Sequence, residues 1–279
     1  MSEKRLQKAL HLVNTMPPVD IVSNLTNISQ LAPDLAVQLS EQVQTPHQID
    51  VDPTCGQSYI KTQYNRDGQS YRSPHSNQYY PAVDEGAYRP SGDLLELENK
   101  LNAAFKFYTR VYFGTGKSNP AISSCYVWKQ GQTIFCAIAI HNEIVGAGEN
   151  VGGFWDSFHL VNIEPQGSNL YTYEVESSVT VHIFAETNQI GKADICGSLS
   201  KSNRTRKQST DILSHVENIG PLIESNETQL RDYIESIYFG KTRDVIEKIH
   251  LSQPPIQKDA FLSELYGSML KNRQSAMSK

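Results

Sequence analysis

The chain has 279 residues, 38% of them hydrophobic and 20% charged, with a formal net charge of -5 at pH 7. That is enough apolar material for a core in one large domain or two small ones, and the acidic balance argues against a polybasic nucleic-acid binder. No run approaches the roughly 18 apolar residues of a membrane span, and the opening MSEKRLQKAL has no signal-peptide core, so the expected location is cytoplasmic. Cys55, Cys125, Cys136 and Cys196 lie far apart without metal-like spacing, as expected of reduced, mostly buried thiols. The sequons at Asn24, Asn27, Asn203 and Asn226 are then coincidental.

In chain order, residues 1–48 read as a bundle of short helices. Leu6, Ala9, Leu10 and Val13 fall at i, i+3, i+4 and i+7, and Pro17-Pro18 ends that stripe. Val22, Leu25 and Ile28 form a second stripe, and Leu35, Leu39 and Val43, after Pro33, a third. From 49 to 91 the period vanishes and Pro, Gly, Ser, Asn and Tyr predict loops. A helix is predicted from Asp93, with Glu96 at capping-box spacing and Leu97, Leu101, Phe105, Tyr108 and Tyr112 on its buried face; Gly114 and Gly116 end it.

Five strands follow: Ile122 to Trp128, Thr133 to Ile140, Phe154 to Ile163, Leu170 to Ala185 and Ala193 to Ser200. No helical pattern separates them, so they predict an antiparallel meander with two edges that must be covered or paired. After the basic segment KSNRTRK (201–207), Val216, Ile223, Leu230 and Ile237 mark a long helix, which either starts or kinks at Pro221. Helix, sheet and long helix occupy 92–253. In the tail, 254–279, Phe261, Leu262, Leu265, Tyr266, Met269 and Leu270 share one helical side. Residues 241–279 hold seven Lys/Arg and four Asp/Glu, a net of +3 that leaves -8 on the remainder. The predicted class is α+β.

Motifs with a chemical reading fail on context. FGTGKS (113–118) resembles the end of a phosphate-binding loop, but Val111 stands where a glycine is needed, a helix precedes it and a strand follows. It is better read as a helix-ending turn. GAGENVGG (146–153) reads as a hairpin loop, because its third glycine comes one residue late for a dinucleotide fingerprint. Asp67-Gly68 reads as a turn, since the twelve-residue calcium-loop series is missing. His159 and His182 have no nucleophile beside them in sequence and read as ordinary strand residues. In YNRDGQSYRSPHSN (64–77), Arg66, Asp67 and Arg72 predict a hydrogen-bonded network replacing an apolar core in the loop region.

That stretch resembles the signature of the beta-subunit family of heterodimeric F-actin capping proteins, carried here by Tyr64, Asn65, Arg66, Asp67, Gly68, Tyr71, Arg72, Ser73 and Pro74. GGFWDSFHLV (152–161), HVENIGPLIE (215–224) and IYFGKTRDVI (237–246) are similar to the same family. The chain departs from the pattern at Gln69, at His75 where Trp is usual, at Pro221, and at Gly267 inside the tail helix. The resemblance implies an obligate heterodimer with a similarly folded alpha subunit, the two meanders joining into one antiparallel sheet. It also implies calcium-independent binding to the filament barbed end, which blocks gain and loss of actin subunits, with no turnover, cofactor, metal or nucleic acid.

The amphipathic tail, with Lys271 and Arg273 beside its apolar face, is then an actin-binding arm; the alternative is a terminal helix docked on its own sheet. Lys201, Arg204, Arg206 and Arg231 form a candidate basic patch toward acidic actin or phosphoinositides, against a reading as solubilising charge. Capping-protein regulators are further implied partners. Two other functions remain open at this point: a capping or scaffold subunit of an actin-related filament, and a nucleotide-binding protein using FGTGKS.

Overall fold

The structure, a computed structural model, describes residues 2–43, 45–84, 86–114, 120–145, 151–187, 191–240 and 243–244. It divides into two compact units, Met1–Leu230 and Arg231–Lys279. The tail residues from Phe261 to Arg273, the end of FGTGKS and the start of GAGENVGG lie outside the described residues.

The first unit opens with helices α1 (Ser2–Asn14), α2 (Ile21–Leu31) and α3 (Ala36–Gln42). Leu6, Val13, Ile21, Ile28, Leu35, Leu39 and Val43 form their shared core. In the second stripe Ile28 is buried and Leu25 packs against this core as predicted, but Val22 is 74% exposed and Ile21 takes its place inside. The stretch from 49 to 91 is less irregular than expected. A hairpin pairs β1 (Gln48–Val51) with β2 (Ser58–Lys61), and β3 (Arg66–Asp67), β4 (Ser70–Arg72) and β5 (Tyr79–Tyr80) form a small second sheet. Strands of two to four residues are too short to show a period of two. Asp67 pairs with Ser70, so Gly68-Gln69 is a two-residue hairpin loop, and Gly68 supplies its positive φ of 58°.

Helix α4 (Gly92–Phe113) starts one residue before the predicted cap. Ser91 holds the N-cap position and no side chain bonds there, so the Asp93/Glu96 capping box is not formed. Leu97, Leu101 and Phe105 are buried as expected, but the stripe drifts outward and Tyr112 is 42% exposed. Gly114 ends the helix at φ 85°, with its N–H on the Arg110 carbonyl, as the helix-ending turn requires.

The meander runs β6 (Ile122–Gln130), β7 (Thr133–Val145), β8 (Val151–Gly167), β9 (Leu170–Thr187) and β10 (Gly191–Gln208), neighbour beside neighbour and antiparallel throughout. The strands overrun their predicted ends. β8 begins at Val151, and β10 continues through KSNRTRK, past the predicted end at Ser200. Charged side chains alternate outward there without stopping the backbone ladder, which pairs Lys201 with Ser177 and Lys207 with Tyr171. α4 and α5 (His215–Ile234) share a core with one face of the sheet, including Cys125, Cys136, Ile138, Val161, Tyr173, Val175, Ile219 and Ile223. Tyr126 faces the opposite side, bonding through its hydroxyl to the Ile60 carbonyl of the β1–β2 hairpin at 2.6 Å.

Pro221 neither starts α5 nor ends it. The helix begins at His215 and runs through it, leaving the Glu217 carbonyl without its usual N–H partner. In the second unit α5 ends at Ile234 and a π-helical turn spans Glu235–Gly240. The cysteines are free; Cys125 and Cys136 are buried, but Cys55 is exposed.

Candidate functional site

The signature stretch is organised around one buried cation. Arg72, 1% exposed, sends Nη1 and Nη2 to the two Glu98 oxygens at 2.7 Å each, a fork-to-fork pair. Nη1 also donates to Asn77 Oδ1 at 3.0 Å, and the guanidinium lies 5.6 Å from the Tyr126 ring centre. Burial works against its charge, but the Glu98 bonds and carboxylate outweigh that and raise the Arg72 pKa. Asn65 Nδ2 holds the Arg72 carbonyl at 2.8 Å, while its Oδ1 receives the Thr62 N–H at 2.8 Å. Ser73 donates to Asp52 at 2.6 Å. Burial pushes the Asp52 carboxyl up, yet bonds from Ser73, Ser76, the Thr54 N–H and Tyr80 prevail and hold it well below the usual range. Arg66 and Asp67 stay exposed and outside this network, a correction to the three-residue reading. Tyr64 instead stacks on Trp128 and Phe158, at 5.0 and 5.6 Å between centres, fixing the loops to the sheet.

Glu98 escapes a reading of the sequence because a carboxylate beside a leucine stripe reads as solvated. Its role becomes visible at the sheet's first edge. Glu98 Oε2 accepts the Val127 N–H at 2.8 Å, and Asn102 brackets Cys125, accepting its N–H and donating to its carbonyl at 2.9 Å each. Residues one turn apart on a helix rise about 6 Å, close to the two-residue repeat of a strand of about 6.6 Å. α4 therefore satisfies the outer backbone of β6 at Cys125 and Val127 with side chains, and Tyr88 adds a bond to the Val127 carbonyl at 3.2 Å.

The other edge is different. β10 has 18 residues and, among the described residues, is flanked in the sheet by β9 alone. At about 3.4 Å per residue this is a ladder side about 60 Å long. Strand periodicity also splits the candidate basic patch. Arg204 and Arg206 point to one sheet face and are exposed, Arg204 lying 3.8 Å from Glu164. Lys201 points to the other, half-buried and bonded to Gln229 of α5. Arg231 belongs to the second unit. The four residues predicted as one patch are not brought together on one face of the first unit.

Beneath α5, a buried polar layer joins helix to sheet. His159 Nε2 meets Glu227 Oε1 at 3.1 Å and its Nδ1 meets Ser177 Oγ at 2.9 Å, while Asn226 donates to the same hydroxyl. His159 is thus a structural strand residue with a helix partner, and His182 pairs with Asp194 at 3.0 Å on the neighbouring strand. Among the described residues no group of His, Cys, Asp and Glu is arranged to hold a metal, and no helix is long and apolar enough to cross a membrane.

Comparison with known proteins matches this organisation. The family model for "F-actin capping protein, beta subunit" matches residues 6–246. The F-actin-capping protein subunit beta of Dictyostelium discoideum is 32% identical over 278 residues, covering 98% of this chain and 100% of that protein. The subunit beta of Drosophila melanogaster is 33% identical over 255 residues, covering 91% of this chain and 90% of its own. A solved structure described as the homodimeric actin capping protein alpha subunit from Plasmodium berghei superposes with a TM-score of 0.52 at 14% identity, over 91% of this chain and 98% of that one, and so shows a shared fold. With a family match across 6–246 and about one-third identity along nearly its whole length, the chain belongs to the F-actin capping protein beta subunit family.

Proposed function

We propose that this chain pairs with a capping-protein alpha subunit along β10, and that the heterodimer occupies the barbed end of the actin filament and blocks subunit gain and loss there. The observation that carries the pairing is the asymmetry of the two sheet edges. β6 is finished by Glu98 and Asn102, whereas β10 offers an 18-residue edge with no neighbouring strand beyond it among the described residues. An exposed strand edge of that length templates another chain, and a subunit with the same meander completes both edges at once. Occupation of the filament end is steric, so the function needs no catalytic group, calcium ion or cofactor.

The tail serves as an arm. Burying its six apolar side chains contributes roughly 9–18 kcal/mol gross, while association and helix ordering cost about 4–15 kcal/mol. One tail therefore binds weakly, and the alpha subunit's tail supplies the second contact through effective concentration. Gly267 lowers the isolated helix by about 1 kcal/mol. Arg204 and Arg206 on the open sheet face bring positive potential toward acidic actin or phosphoinositides.

Co-expression with an alpha subunit followed by sizing tests the pairing. A stable complex with one copy of each, and an insoluble or aggregating chain when expressed alone, is the expected result. A well-behaved monomer overturns the pairing, and a stable self-dimer would replace it with an assembly like that of the homodimeric alpha subunit from Plasmodium berghei.

A further inference from the structure

A cleft of about 460 Å³ opens between α4, the β1–β2 hairpin and the adjoining ends of β6 and β7, within the range of small-molecule sites. Lys106 and Arg110 stand on one side of it, one helical turn apart and thus about 6 Å from each other. Lys106 Nζ reaches Gln57 Oε1 at 3.2 Å, and Arg110 forms no ion pair among the described residues. Two imidazoles line the same space. His75 Nε2 donates to the Ser58 carbonyl at 3.1 Å, leaving Nδ1 as the open ring position. His141 commits Nδ1 to Asp156 at 2.5 Å, leaving Nε2. The opposing wall is apolar, formed by Ile49, Pro120 and Ile122. Glu143, the carboxylate on the lining, is already engaged.

We propose that this cleft binds a small phosphomonoester, its phosphoryl group held by Lys106 and Arg110, and its apolar body against Ile49 and Ile122. Two cations one helical turn apart match the charge and multiple acceptor oxygens of a phosphate, and the apolar wall favours an ester over the free ion. The cleft borders β6 and β7, on the side of the sheet away from the β10 edge, so a bound ester leaves that edge free to pair.

Calorimetric titration of the full chain, in the assembly in which it purifies, with phenyl phosphate, inorganic phosphate and phenol tests the proposal. Saturable binding of phenyl phosphate is expected, at least about fivefold tighter than inorganic phosphate, with none for phenol. Lys106→Gln and Arg110→Gln, at exposed helix positions, each weaken it about tenfold, and His75→Trp blocks it by filling the cleft. Unchanged circular dichroism and melting temperature show that the variants are folded. Absence of saturable binding, equal affinity for inorganic phosphate, or undiminished binding by the Lys106→Gln/Arg110→Gln variant would each overturn it.

Discussion

Replacing Arg72 by Ala removes one half of an ion pair in which both side chains are at most 2% exposed. Three bonds from the guanidinium disappear, two to Glu98 and one to Asn77, and the Glu98 carboxylate stays buried with the Val127 N–H as its remaining donor. Breaking a buried pair from one side costs about 3–5 kcal/mol, mostly through the orphaned charge. For a chain of this size each kcal/mol lowers the melting temperature by about 2–4 °C, so the expected drop is roughly 10 °C. Glu98→Met in the Arg72→Ala background removes the orphan and should recover a large part of the loss, giving a double-mutant coupling of at least about 2 kcal/mol. The assay is thermal melting of the purified complex, with actin affinity measured per folded molecule. That affinity should stay nearly unchanged, because Arg72 faces inward and holds loops to the sheet. Additive effects of the two substitutions would refute the claim that the pair acts as one unit, and a selective loss of affinity would refute its structural role.

Three further expectations follow from single positions. At Gly153, where φ is 146°, an added Cβ would stand 1.9 Å from the His182 carbonyl oxygen of β9. Gly153→Ala should cost about 2–4 kcal/mol in thermal unfolding, and an unchanged melting temperature would rule out this close approach. His215, at the start of α5, is lowered to about 4 by burial, against an opposing pull from Asp211. The Tyr173 hydroxyl accepts from Asn218 and lies 2.6 Å from His215 Nδ1. A depressed histidine favours the fold while it is neutral. Its stabilisation is therefore full above about pH 6.5 and is lost as the pH falls toward about 4. Allowing for partial solvent screening, the loss is about 1–2 kcal/mol, and His215→Gln should flatten that part of a stability-against-pH curve. Truncation after His250 should leave a folded heterodimer that caps poorly; aggregation of the truncated complex would show instead that the tail belongs to a core.

The class of fold is legible in the sequence because the meander strands are long and apolar on at least one face, and because no helical period interrupts them between Ile122 and Ser200. Their ends are not. Hydrophobic alternation stops at Ser200, while backbone pairing continues to Gln208. The basic patch fails for the same reason that strands are readable: a period of two sends Lys201 and Arg204 to opposite faces, which a local charge count ignores. Glu98 is invisible because its partner lies 26 residues away in the signature, and Arg72 reads with its sequence neighbours although its charge is met from another element. The capping box at Asp93 has the right spacing but begins one residue inside the helix. Pro221 reads as a start or a kink, yet the helix surrounding it continues.

Elongation of actin from barbed-end seeds, measured with increasing amounts of the heterodimer formed by this chain and an alpha subunit, probes the central claim most directly. Growth at that end is predicted to fall to zero at saturation, with or without calcium and with no nucleotide or substrate consumed by the heterodimer. Full-rate elongation at saturating heterodimer would contradict it.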